Sequence, residues 1–216
     1  MGMRIWHQSF TVLEDLPGYP EAIQAHAAKI LRPDTEIVLN GQAPGTYPTN
    51  YPGNDIGYNY TYWFHGNQWI AAGRAAEAKG FDAYAMCTLP NPMLREARSL
   101  IDIPVIGMGE TCCHLATMFD QRFAIMLFID RMIPLYEEQI RQYGLTERCA
   151  GVVASGLQFG LERRTGGSGR KVLWGGSGEV LISALPVPKC VIPGLVPATK
   201  VSTVPRLVPG AGPRMT

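Results

Sequence analysis

The stretch Phe81-Asp-Ala-Tyr-Ala-Met-Cys87 is an apolar run that ends in a thiol, and Thr88-Leu-Pro-Asn-Pro92 follows it at once. The run has the length of a buried strand, and the proline-rich segment predicts a turn. Backbone N–H groups at such a turn lower a thiol pKa and bind anions. We therefore interpret Cys87 as a candidate nucleophile or acid/base. A buried structural cysteine explains the position equally well.

Strand-like and helix-like segments alternate on both sides of this stretch. Strands are predicted at Met3–His7, Thr35–Leu39 and Ile103–Gly107, and helices at Pro20–Ile30, Tyr62–Lys79, Met93–Leu100 and from Gly109 to Met118. This order predicts an α/β fold with a parallel sheet and right-handed crossovers. Ligands of such sheets bind beyond the carboxyl ends of the strands. We expect Gln8, Ser9 and Cys87 to lie there.

A second αβ unit follows the first. Its predicted elements are a strand at Arg122–Phe128, a helix from Arg131 to Tyr143, and strands at Cys149–Ala154 and Glu179–Ser183. We place one lobe at residues 1–117, joined by the C-terminal segment 192–216, and a second lobe at 118–191. A ligand between two lobes is the expected arrangement. From Thr165 onward helical patterning fails.

Further polar residues are predicted near the same sheet edge. Thr111 is a natural helix cap, and helix N-termini attract anions, so Glu110 and Thr111 form a second polar element. His65 lies near the start of a predicted helix, where a packing or capping role is the alternative to a site role. Residues 43–60 have neither helical nor strand period and predict a long loop, either a ligand cover or a surface excursion.

The composition limits the partners. Of 216 residues, 46% are hydrophobic and 17% charged, and the formal net charge of +1 leaves no basic patch for nucleic acid. No apolar run approaches the roughly 20 residues of a membrane helix. The five cysteines show no zinc-like pairing, and Cys112, Cys113 and Cys149 are most simply packing residues. With no signal peptide visible, we expect a cytoplasmic protein that binds a small molecule.

The residues from Cys87 to Glu110, with Gln121–Met126 and Tyr143–Cys149, resemble the hydantoin racemase branch of the aspartate/glutamate racemase superfamily. The resemblance implies two flavodoxin-like lobes with parallel sheets, related by a pseudo-dyad, and an active site in the cleft between them. It also implies homo-oligomers and proton transfer without a cofactor, next to a carbonyl of a small carboxylate or a cyclic amide such as a hydantoin. Cys87 matches the catalytic position in the first lobe. The residues expected to bind substrate are Gln8, Ser9, Thr88, Leu89, Glu110, Thr111 and His65.

The chain departs from the family pattern in the second lobe. The family places a second cysteine after the strand matched by Glu179–Ser183, but the sequence reads Ala184-Leu-Pro186, and Cys190 comes later. Three hypotheses stay open: a racemase, a single-cysteine hydrolase, decarboxylase or isomerase, and a binding protein without catalysis.

Overall fold

The computed structural model describes residues 2–16, 18–48 and 55–154, together with the backbone of Leu181–Ser183. The strands in that part of the chain are β1 (Met3–Gln8), β2 (Thr35–Asn40), β3 (Ala83–Met86), β4 (Val105–Gly107), β5 (Phe123–Leu127), β6 (Cys149–Ala154) and β7 (Leu181–Ser183). The helices are α1 (Gly18–Ile30), α2 (Asn59–Phe64), α3 (Gly66–Ala78), α4 (Leu94–Leu100), α5 (Met108–Phe119) and α6 (Ile133–Gln142). Short 3-10 turns lie at Leu13–Asp15 and Asp130–Met132.

The first sheet is parallel throughout, as the sequence predicts, with strand order β2-β1-β3-β4. Gln8 is paired with Met86, and Met86 with Gly107, so the carboxyl ends of these strands lie side by side. Trp6, Tyr84 and Met86 are buried in one apolar core beneath the covering helices. The Tyr84 hydroxyl donates a 2.8 Å hydrogen bond to the carbonyl of Trp69 in α3, which ties that helix to the sheet.

The second sheet has the order β6-β5-β7. Strands β5 and β6 are parallel, but β7 runs antiparallel to β5, which the sequence did not predict. Antiparallel edge strands are common additions to α/β sheets. Phe123, Ile125 and Leu127 alternate along β5 and are almost fully buried. Residues 155–180 and 184–216, including Ala184–Pro186 and Cys190, lie outside the described residues.

Helix α5 joins the two lobes. It begins at Met108, immediately after β4, and its residues Met108, Cys112 and Ala116 pack against the core of the second lobe. The predicted capping role of Thr111 is wrong, because the N-cap is Gly107 and Thr111 is exposed within the first helical turn. The lobe boundaries at residues 1–117 and 118–191 stay a prediction.

The helix predicted over Tyr62–Lys79 is divided in two. Helix α2 ends at Phe64 and α3 begins at Gly66, with His65 between them. A Cβ at Gly66 would lie 2.6 Å from the Met93 side chain. Glycine therefore allows the close packing of Met93 at the point where the helix is interrupted. Because α2 begins at Asn59, the end of the predicted loop 43–60 is helical, and residues 49–54 of that loop are not described.

Other helix boundaries agree with the sequence. Gly80 and Gly144 follow α3 and α6 with φ of +71° and +72°, the left-handed conformation that favours glycine at helix ends. Within the described ranges, every helix is too short or too polar to cross a bilayer.

Candidate active site

The carboxyl ends of β1 and β3 bring the first group of predicted site residues together. The Cys87 N–H donates a 2.8 Å hydrogen bond to the Gln8 carbonyl, and the Ser9 N–H donates a bond of the same length to the Asn40 carbonyl. These bonds extend the ladder of the sheet by one residue. Ser9 and Cys87 therefore leave neighbouring strands at the same edge.

A buried cluster of hydroxyl groups surrounds Ser9. The Thr11 N–H donates to the Ser9 Oγ at 3.1 Å, and the two side-chain oxygens are 2.8 Å apart. The Tyr19 side chain also hydrogen-bonds to Ser9, and burial raises the pKa of Tyr19. Neither Thr11 nor Tyr19 was predicted from the sequence as a site residue. The polar residues after β1 were a signal for Thr11, but nothing in the sequence pointed to Tyr19.

The Cys87 thiol is half-buried and lies 3.6 Å from the carbonyl oxygen of Ala85. Burial raises its pKa to about 12, and the nearby Cys112 thiol adds to the shift. The prediction that turn amides lower this pKa is therefore wrong, because the loss of water around the sulfur outweighs any favourable dipole. The free protein holds Cys87 as a protonated thiol at neutral pH.

Asn91, 4% exposed, organises the turn after Cys87. Its Nδ2 donates a 2.7 Å hydrogen bond to the Thr88 carbonyl. Its Oδ1 accepts bonds from the Glu110 N–H at 3.0 Å and from the Tyr143 hydroxyl at 3.1 Å. Asn91 and Tyr143 were not predicted from the sequence as site residues. They are 52 residues apart, and no local pattern reports so distant a contact.

The two predicted residues inside the turn point into different parts of the molecule. Thr88 is buried and lines a cavity on the α2–α3 side of the turn. The Leu89 side chain is buried in the apolar core of the second lobe. Among the described residues, neither the Thr88 N–H nor the Leu89 N–H has a hydrogen-bond acceptor.

The cavity beside Thr88 has a volume of about 20 Å³, roughly the space of one small group or water molecule. Its lining consists of neutral side chains: Phe10, Tyr47, Ile56, Thr61, Tyr62, His65, Trp69, Thr88, Pro90 and Pro92. Burial lowers the pKa of His65, and the negative charge of Asp55 partly opposes this shift. The His65 ring packs edge-on against Tyr47, with centroids 5.4 Å apart.

The remaining predicted residues face elsewhere. The Glu110 carboxylate forms a two-oxygen ion pair with the Arg98 guanidinium, while its backbone N–H binds Asn91. Thr111 is exposed on α5. The structure therefore brings the Glu110 backbone, but not its charge, to the turn.

The other described cysteines serve packing. Cys113 is 1% exposed in the second core, and burial raises its pKa to about 12. Cys112 and Cys149 are half-buried at the edge of the same core. Within the described part of the chain, no three His, Cys, Asp or Glu side chains are grouped closely enough to hold a metal ion.

Comparisons with known proteins agree on one family. The family model described as Asp/Glu/Hydantoin racemase matches residues 19–172. A hydantoin racemase of Rhizobium meliloti is 32% identical over 88 residues, which cover 41% of this chain and 36% of that protein.

Two solved structures have the same fold. An allantoin racemase from Klebsiella pneumoniae is 27% identical with a TM-score of 0.60, covering 71% of this chain and 58% of that one. An allantoin racemase from Pseudomonas fluorescens is 24% identical with a TM-score of 0.59, covering 72% and 62%. The matches thus span about a third of the curated relative and about three fifths of the solved structures.

Proposed function

The chain belongs to the Asp/Glu/hydantoin racemase family, and from this we propose that it moves the proton on a carbon next to a carbonyl of a cyclic amide, with Cys87 as the acid/base. The observation that carries the proposal is the placement of Cys87. This half-buried thiol lies at the carboxyl edge of a parallel sheet, beside a turn whose Thr88 and Leu89 N–H groups have no hydrogen-bond acceptor among the described residues. Ligands of such sheets bind at that edge.

The proposed reaction has two proton transfers. The Cys87 thiolate takes the proton from the substrate carbon, and the electron pair of the broken C–H bond moves onto the carbonyl oxygen to give an enolate. The Thr88 and Leu89 N–H groups are suited to donate hydrogen bonds to that oxygen, where the negative charge develops. A water molecule then donates a proton to the opposite face of the carbon, which inverts the centre, and the hydroxide that remains takes the proton from the Cys87 thiol to regenerate the thiolate. The sequence of steps requires no cofactor.

The high pKa of Cys87 assigns the turn amides a different role from the predicted one. Because burial keeps the sulfur protonated, these amides do not serve to stabilise the resting thiolate. They would donate hydrogen bonds to the enolate oxygen instead. A donor that binds only the charge developing in the transition state raises kcat, because it does not stabilise the ground state equally. Proton abstraction then becomes faster as the pH rises.

The neutral cavity favours a cyclic amide over a carboxylate as the substrate. A buried carboxylate needs a cationic or hydrogen-bonding partner, and the lining beside Thr88 carries no charged side chain. A hydantoin ring is uncharged when its N–H groups are intact, so it avoids that desolvation cost. The small apolar cavity would hold the substituent on the reacting carbon.

A second candidate function is one-sided protonation by a single thiol, as in a decarboxylase or an isomerase. The protonated state of Cys87 favours this candidate, because a neutral thiol is ready to donate its proton to an enolate from one face. The product would then have a single hand.

The test is solvent deuterium incorporation at C5 of L-5-methylhydantoin in D2O, followed together with optical rotation. Wild type should exchange the C5 proton faster than buffer alone, and Cys87→Ser should not. Cys149→Ser changes a half-buried thiol in the second lobe and is the matched control. Exchange with decaying rotation indicates a racemase, and exchange with retained rotation indicates one-sided chemistry. Equal exchange in wild type and Cys87→Ser would exclude Cys87 from the reaction.

A further inference from the structure

The Thr88–Leu89 peptide is held by one side chain. Asn91 is buried, and its Nδ2 donates a 2.7 Å hydrogen bond to the Thr88 carbonyl oxygen. A trans peptide is planar, and its C=O and N–H point in opposite directions. The bond that fixes the Thr88 carbonyl therefore also aims the Leu89 N–H away from Asn91.

The Leu89 N–H is available to donate a hydrogen bond to a ligand. It lies between two buried residues, and no described acceptor satisfies it. A buried donor without a partner is destabilising and is uncommon in native proteins. An N–H that waits for a substrate oxygen explains why this one is retained.

Asn91 is itself fixed from two directions. Its Oδ1 accepts bonds from the Glu110 N–H in α5 and from the Tyr143 hydroxyl after α6. A Cβ at Gly107 would lie 2.6 Å from the same oxygen, so the backbone of β4 is packed directly against the amide. The side chain has little freedom to rotate.

We propose that Asn91 is a positioning residue that aims the Leu89 N–H at the enolate oxygen, and that Tyr143 of the second lobe locks it in place. This inference rests on the proposed function. Asn91 does not touch the reacting atoms, and its effect passes through the orientation of one peptide group. The second lobe thus contributes to catalysis through a hydrogen bond that sets the geometry of the first.

The test compares Asn91→Asp with wild type in the C5 exchange of 5-methylhydantoin. Aspartate keeps the shape but replaces the Nδ2 donor with an oxygen that repels the Thr88 carbonyl. Loss of one oxyanion donor lowers kcat by about 100-fold, and KM should change by less than about threefold because the donor acts mainly in the transition state. Asn67→Asp makes the same charge change on an exposed side chain of α3 and should keep wild-type kcat.

Two further measurements separate positioning from general damage. The Leu89 amide resonance of 15N-labelled protein should shift in Asn91→Asp. Tyr143→Phe removes one bond to the Asn91 Oδ1 but leaves the Thr88 bond, so kcat should fall about fivefold with little change in KM. Tyr143→Phe carries the test if Asn91→Asp does not fold.

The outcomes are distinguishable. A wild type that does not exchange the C5 proton defeats the proposed function, and the role of Asn91 with it. If wild type exchanges the C5 proton but Asn91→Asp has the same kcat, or its Leu89 resonance does not move, the role of Asn91 is wrong and the proposed function stands. An unchanged kcat in Tyr143→Phe would show that Tyr143, and with it the second lobe, does not help to position Asn91.

Discussion

Gly109, in the first turn of α5, lies so close to the carbonyl oxygen of Leu89 that an added Cβ atom would collide with it. Gly109→Ala should therefore lower the free energy of unfolding by about 1–3 kcal/mol, the usual cost of overpacking, even though alanine normally favours a helix. Urea unfolding measures the change. Gly18→Ala, whose Cβ meets no atom within 4 Å, is the control and should leave the stability almost unchanged or slightly higher. A stabilising Gly109→Ala would show that the turn can move away from α5.

The reactivity of Cys87 should follow its raised pKa. Because the thiol is protonated far above neutral pH, alkylation by iodoacetamide should be slower at pH 7 than that of a free cysteine. The rate should then rise about tenfold per pH unit through the alkaline range, and C5 exchange should rise in the same direction. Mass spectrometry of the Cys87 peptide measures the first rate. A plateau below pH 9 would mean that the thiolate is favoured after all.

His7 should make the folded state acid-sensitive. Burial lowers the pKa of this side chain from 6.5 to about 4, so the folded protein holds it neutral while the unfolded chain takes up a proton. Above pH 6.5 the lowered pKa of His7 does not reduce the free energy of unfolding. As the pH falls from 6.5 to 4, proton uptake by the unfolded chain lowers the free energy of unfolding by about 3 kcal/mol. Urea unfolding at pH 7 and pH 4 measures this loss, which should be smaller in His7→Leu.

The control for His7 is His114→Gln, which alters an exposed histidine on α5. This variant should lose the same stability on acidification as wild type. An identical loss in His7→Leu would assign the acid sensitivity to other groups.

The neutral cavity should select the substituent on the reacting carbon. Wild type should prefer 5-methylhydantoin to 5-benzylhydantoin, since the space beside Thr88 is about 20 Å³. Ile56→Ala widens the lining and should raise kcat/KM for the benzyl compound, relative to the methyl compound, by about tenfold or more. Ile30→Ala, at a side chain 62% exposed on α1, should not change this ratio.

A preference of wild type for the polar ureido substituent of allantoin would contradict this assignment. Steady-state rates with the three hydantoins decide the point.

Much of the fold could be predicted from local pattern. Alternation of buried and half-buried residues, with Phe123, Ile125 and Leu127 buried, is imposed by the pleat of a strand and is visible in the sequence. Glycines such as Gly80 and Gly144 mark helix ends because few other residues adopt a positive φ. The segment around Cys87 also carried the family resemblance, which the family comparison confirms.

The properties of the candidate site depend on contacts that local pattern does not report. The turn after Cys87 suggested a lowered pKa, but burial in the fold raises this pKa, and the charge of Cys112, which is distant in sequence, adds to the shift. Thr111 has the chemistry of a cap, yet the helix starts at Met108 because β4 runs directly into it. The antiparallel pairing of β7 likewise depends on how the chain returns to the sheet, which a three-residue strand does not encode.

Leu89 follows the strand of one lobe that ends at Cys87, yet its side chain is buried among the apolar residues of the other lobe. A chimera that exchanged the second lobe for that of a relative would have to supply a matching recess for this leucine, or the turn beside Cys87 would lose its anchor. The two halves are therefore not interchangeable modules, and substitutions around Leu89 in one half constrain which substitutions the other half can accept.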